Sequence, residues 1–401
     1  MKPNVLQLVN SFHQGGSERQ AVQLARLLHE SGRYNVSIAS QIGEGVLRTE
    51  AERIGLGEIT AYPLTSFYDR NALTQLRRFA AFLRERQIDV VHTHDFYTNI
   101  FGLSAAALAR VSVRVGSRRE SAVRGPKQRA VERASYRLAH AVVANCEEVR
   151  QQLIDVEGVA PGKTVTVYNG LNMDRLAPRL RRDEALRLLN LPRSRRFVTI
   201  VANFREDLKD HPTFLRAAQH VRAAVPDSAF VLAGEGELTE PMRALAAQLG
   251  LRDDAFFIGR CENVAELLHV SDLCVLSSKA EGFSNSVIEY MAAGRPAVVT
   301  AVGGAREAVS DCETGYIVDV GDDEKMAARI IELLRNPERA QQMGRRGREV
   351  ATEKFSCEAQ LGRTEELYGR LLAKVRSGTA RPLAVSRERR ESEEGDWSEV
   401  S

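Results

Sequence analysis

Residues 196–234 read RFVTIVANFREDLKDHPTFLRAAQHVRAAVPDSAFVLAG. Two strand-like runs, RFVTIVANF and SAFVLAG, flank a stretch of helical period that Pro212 opens. Strand, helix and strand in that order predict parallel strands joined by a crossover helix. The pattern continues beyond it through DAFFIG, SDLCVLS, RPAVVT and TGYIVD, with helical sequence from Asp322 to about Arg376.

The same alternation precedes it. VLQLVN, NVSIAS, DVVHTH, VSVRVGS, HAVVANC and TVTVYNG are separated by helical stretches over 18–30, 46–54, a segment ending at Ala109, and 128–138. Between the two sets, residues 171–196 are poor in strand-forming residues and rich in Arg and Pro. The expectation is therefore α/β: a Rossmann-like domain over 1–170, a linker over 171–196 and a second Rossmann-like domain over 197–357, facing each other across a cleft. A helix over 358–376 is expected to pack back on the first domain. Residues 377–401 are densely charged with almost no apolar periodicity, the composition of a disordered tail in which Trp397 is the lone large apolar residue.

A chain of 401 residues exceeds what one core usually supports, which agrees with two domains. Its 43% hydrophobic and 27% charged residues are values of a soluble globular protein. No apolar run has the length of a spanning helix and the amino terminus does not read as a signal peptide, so a cytoplasmic protein is expected. Five scattered cysteines without CxxC spacing read as reduced thiols. The net charge of +3 gives no reason to expect nucleic acid, but nine basic residues lie between Arg110 and Arg137 against Glu120 and Glu132. That segment reads either as a solvated helix face or as a surface for the inner face of an anionic membrane.

Several loops carry residue types suited to an anionic ligand. HQGGSERQ puts Gly15 and Gly16 before a helix, where backbone N–H groups and the positive helix end favour phosphate. Arg205 and Lys209 follow the strand RFVTIVANF with a spacing of four, so they bracket a diphosphate or form an exposed basic pair. In VLAGEGE, Gly234 and Gly236 admit close backbone approach or a tight turn. EGFSNSVIEYMAAGRP places Glu281 in a loop, Ser284, Asn285 and Ser286 at a helix start, and Glu289 one turn inside that helix.

Taken together and in this order, HQGGSER, VYNGLN, RxxxK, AGEGE, ExxxxxxxE and AAGRPAVVTAVGGAREAV resemble glycosyltransferase family 4, retaining enzymes of the GT-B fold. The resemblance implies that Arg205 and Lys209 hold the donor diphosphate and that Glu281 contacts the donor sugar. It further implies that Glu289 takes the ribose hydroxyls, while amides at Gly16 and over Ser284, Asn285 and Ser286 reach phosphates. Gly234 belongs to the same donor side, and the loop at Gly259 and Arg260 lines the base. No DxD pair stands at a strand end, so the expected site needs neither metal nor cofactor beyond the nucleotide sugar, with uridine the commoner base. Expected acceptors are lipid-linked, cell-envelope or polysaccharide glycans. A sugar-nucleotide epimerase and a non-catalytic subunit share the fold and stand as alternatives.

One departure from the family pattern concerns the first domain. Members commonly carry a histidine near the sugar at the end of an early strand, whereas VSVRVGS runs into Ser117, Arg118, Arg119 and Glu120. His92 and His94 of the neighbouring strand share one face by strand periodicity. His94, Asp95, Ser117 and Arg119 are therefore the acceptor-side candidates.

Overall fold

The computed structural model describes residues 1–378 apart from 14, 68, 122, 123 and 206. The expected tail beyond 378, Trp397 included, lies outside the described residues. In the first domain β1 (Asn4–Val9), β2 (Asn35–Ser40), β3 (Thr60–Ala61), β4 (Val90–Thr93), β5 (Val113–Arg118), β6 (Ala141–Ala144) and β7 (Thr164–Thr166) form one sheet in the order β3-β2-β1-β4-β5-β6-β7. In the second, β8 (Arg196–Val201), β9 (Ser228–Ala233), β10 (Ala255–Gly259), β11 (Leu273–Leu276), β12 (Ala297–Thr300) and β13 (Gly315–Val318) lie in the order β10-β9-β8-β11-β12-β13. Every strand pairing is parallel.

Strands covered on both faces by crossover helices must be apolar throughout. Accordingly SAFVLA of β9 and AVVT of β12 are buried at every residue. Val5 of β1 sits between Val36 of β2 and Val90 of β4, and Val198 of β8 between Phe230 of β9 and Leu273 of β11. In each sheet the order reverses there, between β1 and β4 and between β8 and β11, which opens a crevice at the carboxyl ends of the strands.

The chain crosses between the domains twice, and the crossings are hydrogen-bonded to each other. Leu171 N–H donates to Phe355 O at 2.8 Å and Cys357 N–H to Leu171 O at 3.1 Å. Tyr168, Phe283 and Phe355 pack around this seam with ring centroids 5.1–5.3 Å apart. Gly170 is gripped by three amides: Gln20 and Gln23 donate to its carbonyl, and a Cβ there would lie 2.6 Å from Gln360 Oε1. Past the seam, the helix Cys357–Arg376 is capped by Ser356 and buries Leu367, Tyr368 and Leu371 among Val5, Val113 and Val143 of the first domain.

The stretch 171–196 is more than a linker. It forms a helix, Arg182–Leu188, whose Ala185 and Leu186, with Leu189 and Leu191 just beyond, pack on Phe197, Val231 and Leu267 of the second domain. Arginines on its outer face mask that short apolar stripe in the composition. The long helical sequence after 322 divides at Asn336, which caps the second of three helices, and again at Ser356.

Candidate functional site

The loop after β8 ends in a single turn, Asp207–Lys209, leading into the helix His211–Ala224. It is pinned from the side: Leu208 O accepts from Lys279 N–H at 2.8 Å, Lys209 O accepts from Ser277 Oγ at 2.8 Å, and Lys279 Nζ pairs with Asp207. Pinned in this way, Lys209 reaches across to Glu281, with Nζ 2.5 Å from Oε1, and Ser278 Oγ donates to the same oxygen at 2.7 Å. Arg205 is exposed and has no ion-pair partner among the described residues. The glycines of AGEGE serve the same loop. A Cβ on Gly234 would lie 2.0 Å from Ala202 O and one on Gly236 2.3 Å from Phe204 C, so these glycines let two loops run backbone against backbone. What approaches Gly234 closely is the protein's own chain.

Glu281 leads into the helix Asn285–Ala292. None of the three expected capping side chains closes its amino end. Ser284, at the N-cap position, makes no side-chain cap bond; Asn285 Oδ1 accepts from Asn169 Nδ2 at 2.9 Å; and Ser286 Oγ donates to Val201 O at 2.8 Å. The leading N–H groups thus lack side-chain caps at the positive end of the helix dipole, a geometry suited to phosphate. Gly16 faces this end from the first domain, since a Cβ on it would stand 3.4 Å from Asn285 Nδ2.

One turn along, Glu289 lines a hollow of about 280 Å³ with Arg19, Gln20, Arg175 and Asn263. Burial raises the Glu289 pKa, and Arg19 and Arg175 oppose that shift. Gly259 ends β10 at φ +68°, and the adjoining Arg260 lines a neighbouring hollow that shares Glu262 and Asn263 with the first. Arg260 is therefore next to the Glu289 hollow and not in its wall.

On the first-domain side, a hollow of about 380 Å³ opens at the carboxyl ends of β1, β4 and β5, lined by Asn10, Glu18, His94, Asp95, Ser117 and Arg119 among others. Asp95 caps the helix Phe96–Leu108, accepting from Thr98 N–H at 3.0 Å, and burial pushes its pKa up to about 6. Ser117 is fully buried, with its hydroxyl on His92 Nε2 at 2.7 Å. His92 and His94 do share a face, their rings stacked 4.5 Å apart. Burial holds His92 down to about 3 and His94 well below the usual imidazole range, so both are neutral.

The two domains meet along this line. Ser121 Oγ donates to Glu281 O at 2.6 Å, Asn145 Nδ2 to Arg119 O at 2.9 Å, and a Cβ on Gly282 would lie 2.2 Å from Arg119 O. Glu307 of the second domain accepts from the N–H groups of Glu147 and Glu148 at 2.7 and 3.0 Å, which start the helix Glu147–Asp155 of the first.

Sequence reasoning missed Arg19, Asn169, Arg175, Ser278 and Lys279. Arg19 and Asn169 stand inside the motifs GGSER and VYNG and were open to discovery; the other three gain their place only through the fold. The basic segment is also less available than its composition implied. Arg114 and Arg118 are buried, and Arg118, Arg129 and Arg133 all converge on the buried Glu157. Arg124 pairs with Glu120 and Glu132, leaving Arg110, Lys127 and Arg137 as its exposed cations without such a partner among the described residues.

Two doubly wound domains meeting over a cleft, with an open helix end flanked by a lysine and two glutamates, define the GT-B class of transferases. Residues 14–175 match the family model described as Glycosyltransferase Family 4, and residues 182–350 the model described as Glycosyl transferases group 1. The chain belongs to this glycosyltransferase family. It is 32% identical to the N-acetyl-alpha-D-glucosaminyl L-malate synthase of Bacillus anthracis over 55% of this chain and 58% of that protein. It is 26% identical to the UDP-Gal:alpha-D-GlcNAc-diphosphoundecaprenol alpha-1,3-galactosyltransferase of Escherichia coli over 63% and 67% of the two chains. Among solved structures, HepE of Anabaena in complex with UDP superposes with a TM-score of 0.80 at 18% identity, covering 92% of this chain and 100% of that one, a likeness of fold.

Among the described residues no helix is long and apolar enough to cross a membrane, and no group of three His, Cys, Asp or Glu is arranged to hold a metal ion.

Proposed function

We propose that this protein is a retaining, metal-independent glycosyltransferase that moves a sugar from a nucleoside diphosphate, UDP in the first instance, onto a cell-envelope or lipid-linked acceptor. The observation that carries the reading is the Lys209–Glu281 contact beside the uncapped start of the helix Asn285–Ala292, with Glu289 one turn further on. In that arrangement the nucleoside's ribose takes Glu289 in the hollow. The diphosphate lies on the helix N–H groups with Gly16 above it, and the sugar extends towards Glu281.

Bond cleavage between the anomeric carbon and the phosphate oxygen leaves charge on the diphosphate, which Lys209 and the helix end stabilise where it develops. The exposed Arg205 supplies a second cation to the same charge when its side chain swings in. The acceptor oxygen bonds to the anomeric carbon on the face the diphosphate leaves, and its proton passes to a phosphate oxygen. No enzyme nucleophile takes part. Lys209 fills the electrostatic role a divalent cation holds in other transferases. The Escherichia coli relative is named for UDP-Gal and a diphosphoundecaprenol acceptor and the Bacillus anthracis relative for L-malate, which supports a nucleotide-sugar donor and acceptors that carry acid groups.

A thermal-shift and titration series with UDP, GDP, ADP and their sugars, each with and without chelator, tests the reading, because a ligand that binds only the folded state raises its stability. The expected result is a shift with one nucleotide that survives chelation and is lost in Lys209→Ala. A folded protein that responds to none of them is a non-catalytic relative of this fold.

A further inference from the structure

We infer that Arg119 reads the acceptor, and that the acceptor presents it with an oxyanion, a carboxylate or a phosphate. The inference rests on the transferase reading above and adds to it the charge of the second substrate.

Arginines around the first-domain hollow are neutralised by acids: Arg118 by Glu157, and Arg124 by Glu120 and Glu132. Arg119 is the exception, with no carboxylate within ion-pair distance among the described residues. Its Nη1 donates to Asn169 Oδ1 at 2.9 Å, its Nη2 approaches His94 Nδ1 at 3.4 Å, and its Nε is buried without a partner among the described residues.

Both acceptors are neutral: Asn169 Nδ2 donates to Phe283 O at 3.3 Å and Asn285 Oδ1 at 2.9 Å, and a chain of neutral side chains fixes His94. Gln7 Nε2 donates to the Tyr368 hydroxyl at 3.1 Å, so Gln7 Oε1 is the acceptor facing His94 Nε2 at 2.7 Å. His94 therefore carries its proton on Nε2 and turns a bare Nδ1 to Arg119. Having accepted from Gln7, Tyr368 donates onward to His92 Nδ1 at 2.7 Å, and His92 Nε2 donates to Ser117 Oγ at 2.7 Å. Gln7, Tyr368, His92 and Ser117 thus fix the His94 ring, which with Asn169 meets the guanidinium without cancelling its charge.

A partly buried charge opposed only by dipoles is costly unless a ligand completes it. The planar fork of arginine suits a carboxylate or phosphate in two-point contact. The nearby acids leave room for one: Glu120 and Glu132 are paired with Arg124, Asp95 caps its helix, and the Glu18 carboxylate lies over its own first turn against Gly15. The acceptor is the source assigned because Arg119 follows β5 and opens on the first-domain hollow, whereas Lys209 and Glu281 belong to the facing domain.

The test uses the full chain and isothermal titration. UDP is titrated first, and then UDP-saturated protein receives inorganic phosphate, glucose 6-phosphate and glucuronate, with glucose as the neutral control. Wild type is expected to bind at least one acid and to ignore glucose. Arg119→Gln should weaken that acid by about ten- to a hundredfold while leaving UDP affinity within about threefold. Arg119→Lys keeps the charge and loses the fork; it should fall between the two and replaces the glutamine variant if that one fails to fold. An equal loss of UDP affinity in Arg119→Gln would assign the residue to the donor diphosphate and overturn the inference, as would acids that bind no better than glucose. Should no nucleotide bind, the transferase reading fails; the acid titration on free protein then decides Arg119 by itself, supporting the inference if Arg119→Gln loses the acid and overturning it otherwise.

Discussion

Lys209 spends its charge on Glu281 in this structure, so a diphosphate arriving at the helix end must share it. Removing such a stabiliser typically costs roughly 2.7–4 kcal/mol in the transition state. Lys209→Ala should accordingly lower turnover at saturating donor by about two to three powers of ten, read as release of the nucleoside diphosphate. The His92–His94 pair makes a second prediction at this scale. Both imidazoles have folded pKa values below their unfolded ones, so the stability they contribute is full above about pH 6.5 and is lost as pH falls. Each should cost about 1 kcal/mol between pH 6.5 and 5.5. Asp95, shifted up to about 6, works the other way below that pH. Nitrogen-15 NMR at pH 5 should show both rings neutral and carrying the proton on Nε2; a charged ring would refute the relay. Residue types and spacing were legible at the cleft because Lys209, Glu281 and Glu289 sit at fixed distances from strand ends. The pairing of Arg118, Arg129 and Arg133 with Glu157 was not, since Glu157 is 24–39 residues away in sequence and only the fold brings it there.

Among the elements, the loop Glu281–Ser284 is the most constrained. Gly303, at φ +49°, passes so close that a Cβ would meet Glu281 O at 2.2 Å, and Gly304 N–H holds Gly282 O at 2.7 Å. Gly303→Ala combines a left-handed backbone with a clash against main chain. It should cost about 1–3 kcal/mol and loosen Glu281, seen as a lower melting temperature together with weaker nucleotide binding. Strands and crossover helices could be read directly from the sequence because fully buried parallel strands leave uninterrupted apolar runs. β3, with two residues, is too short to leave one, and the helix Arg182–Leu188 was hidden by its arginines. The glycines of AGEGE were recognised as close-approach positions, but a sequence does not say whether ligand or backbone does the approaching.

For the molecule as a whole, the domains are joined by the double crossing, by Gly170 under its three glutamines and by Glu307 on the start of the helix Glu147–Asp155. Glu307→Ala removes three bonds to a charged acceptor between the domains, from the Glu147 and Glu148 N–H groups and the Tyr168 hydroxyl. Small-angle scattering should then show a larger radius of gyration that nucleotide narrows again. The returning helix places Tyr368 in the first domain's core, and Tyr368→Ala should cost about 3–5 kcal/mol. Amide exchange should quicken in β1, β4 and β5 well before β8. The return of this helix was visible from helical periodicity and family resemblance, but its polar contact with His92 was not, because it joins residues 276 positions apart.

That same helix sets an order of events during synthesis. The first domain's core needs Leu367, Tyr368 and Leu371, which leave the ribosome only after the entire second domain has been made. At roughly 5–20 residues per second, some 200 residues separate the two ends of that core by about 10–40 s. During that interval β1 to β7 wait with an apolar face uncovered, a window in which chaperones have their opportunity and premature termination leaves an aggregation-prone fragment. The domain that begins first is completed last.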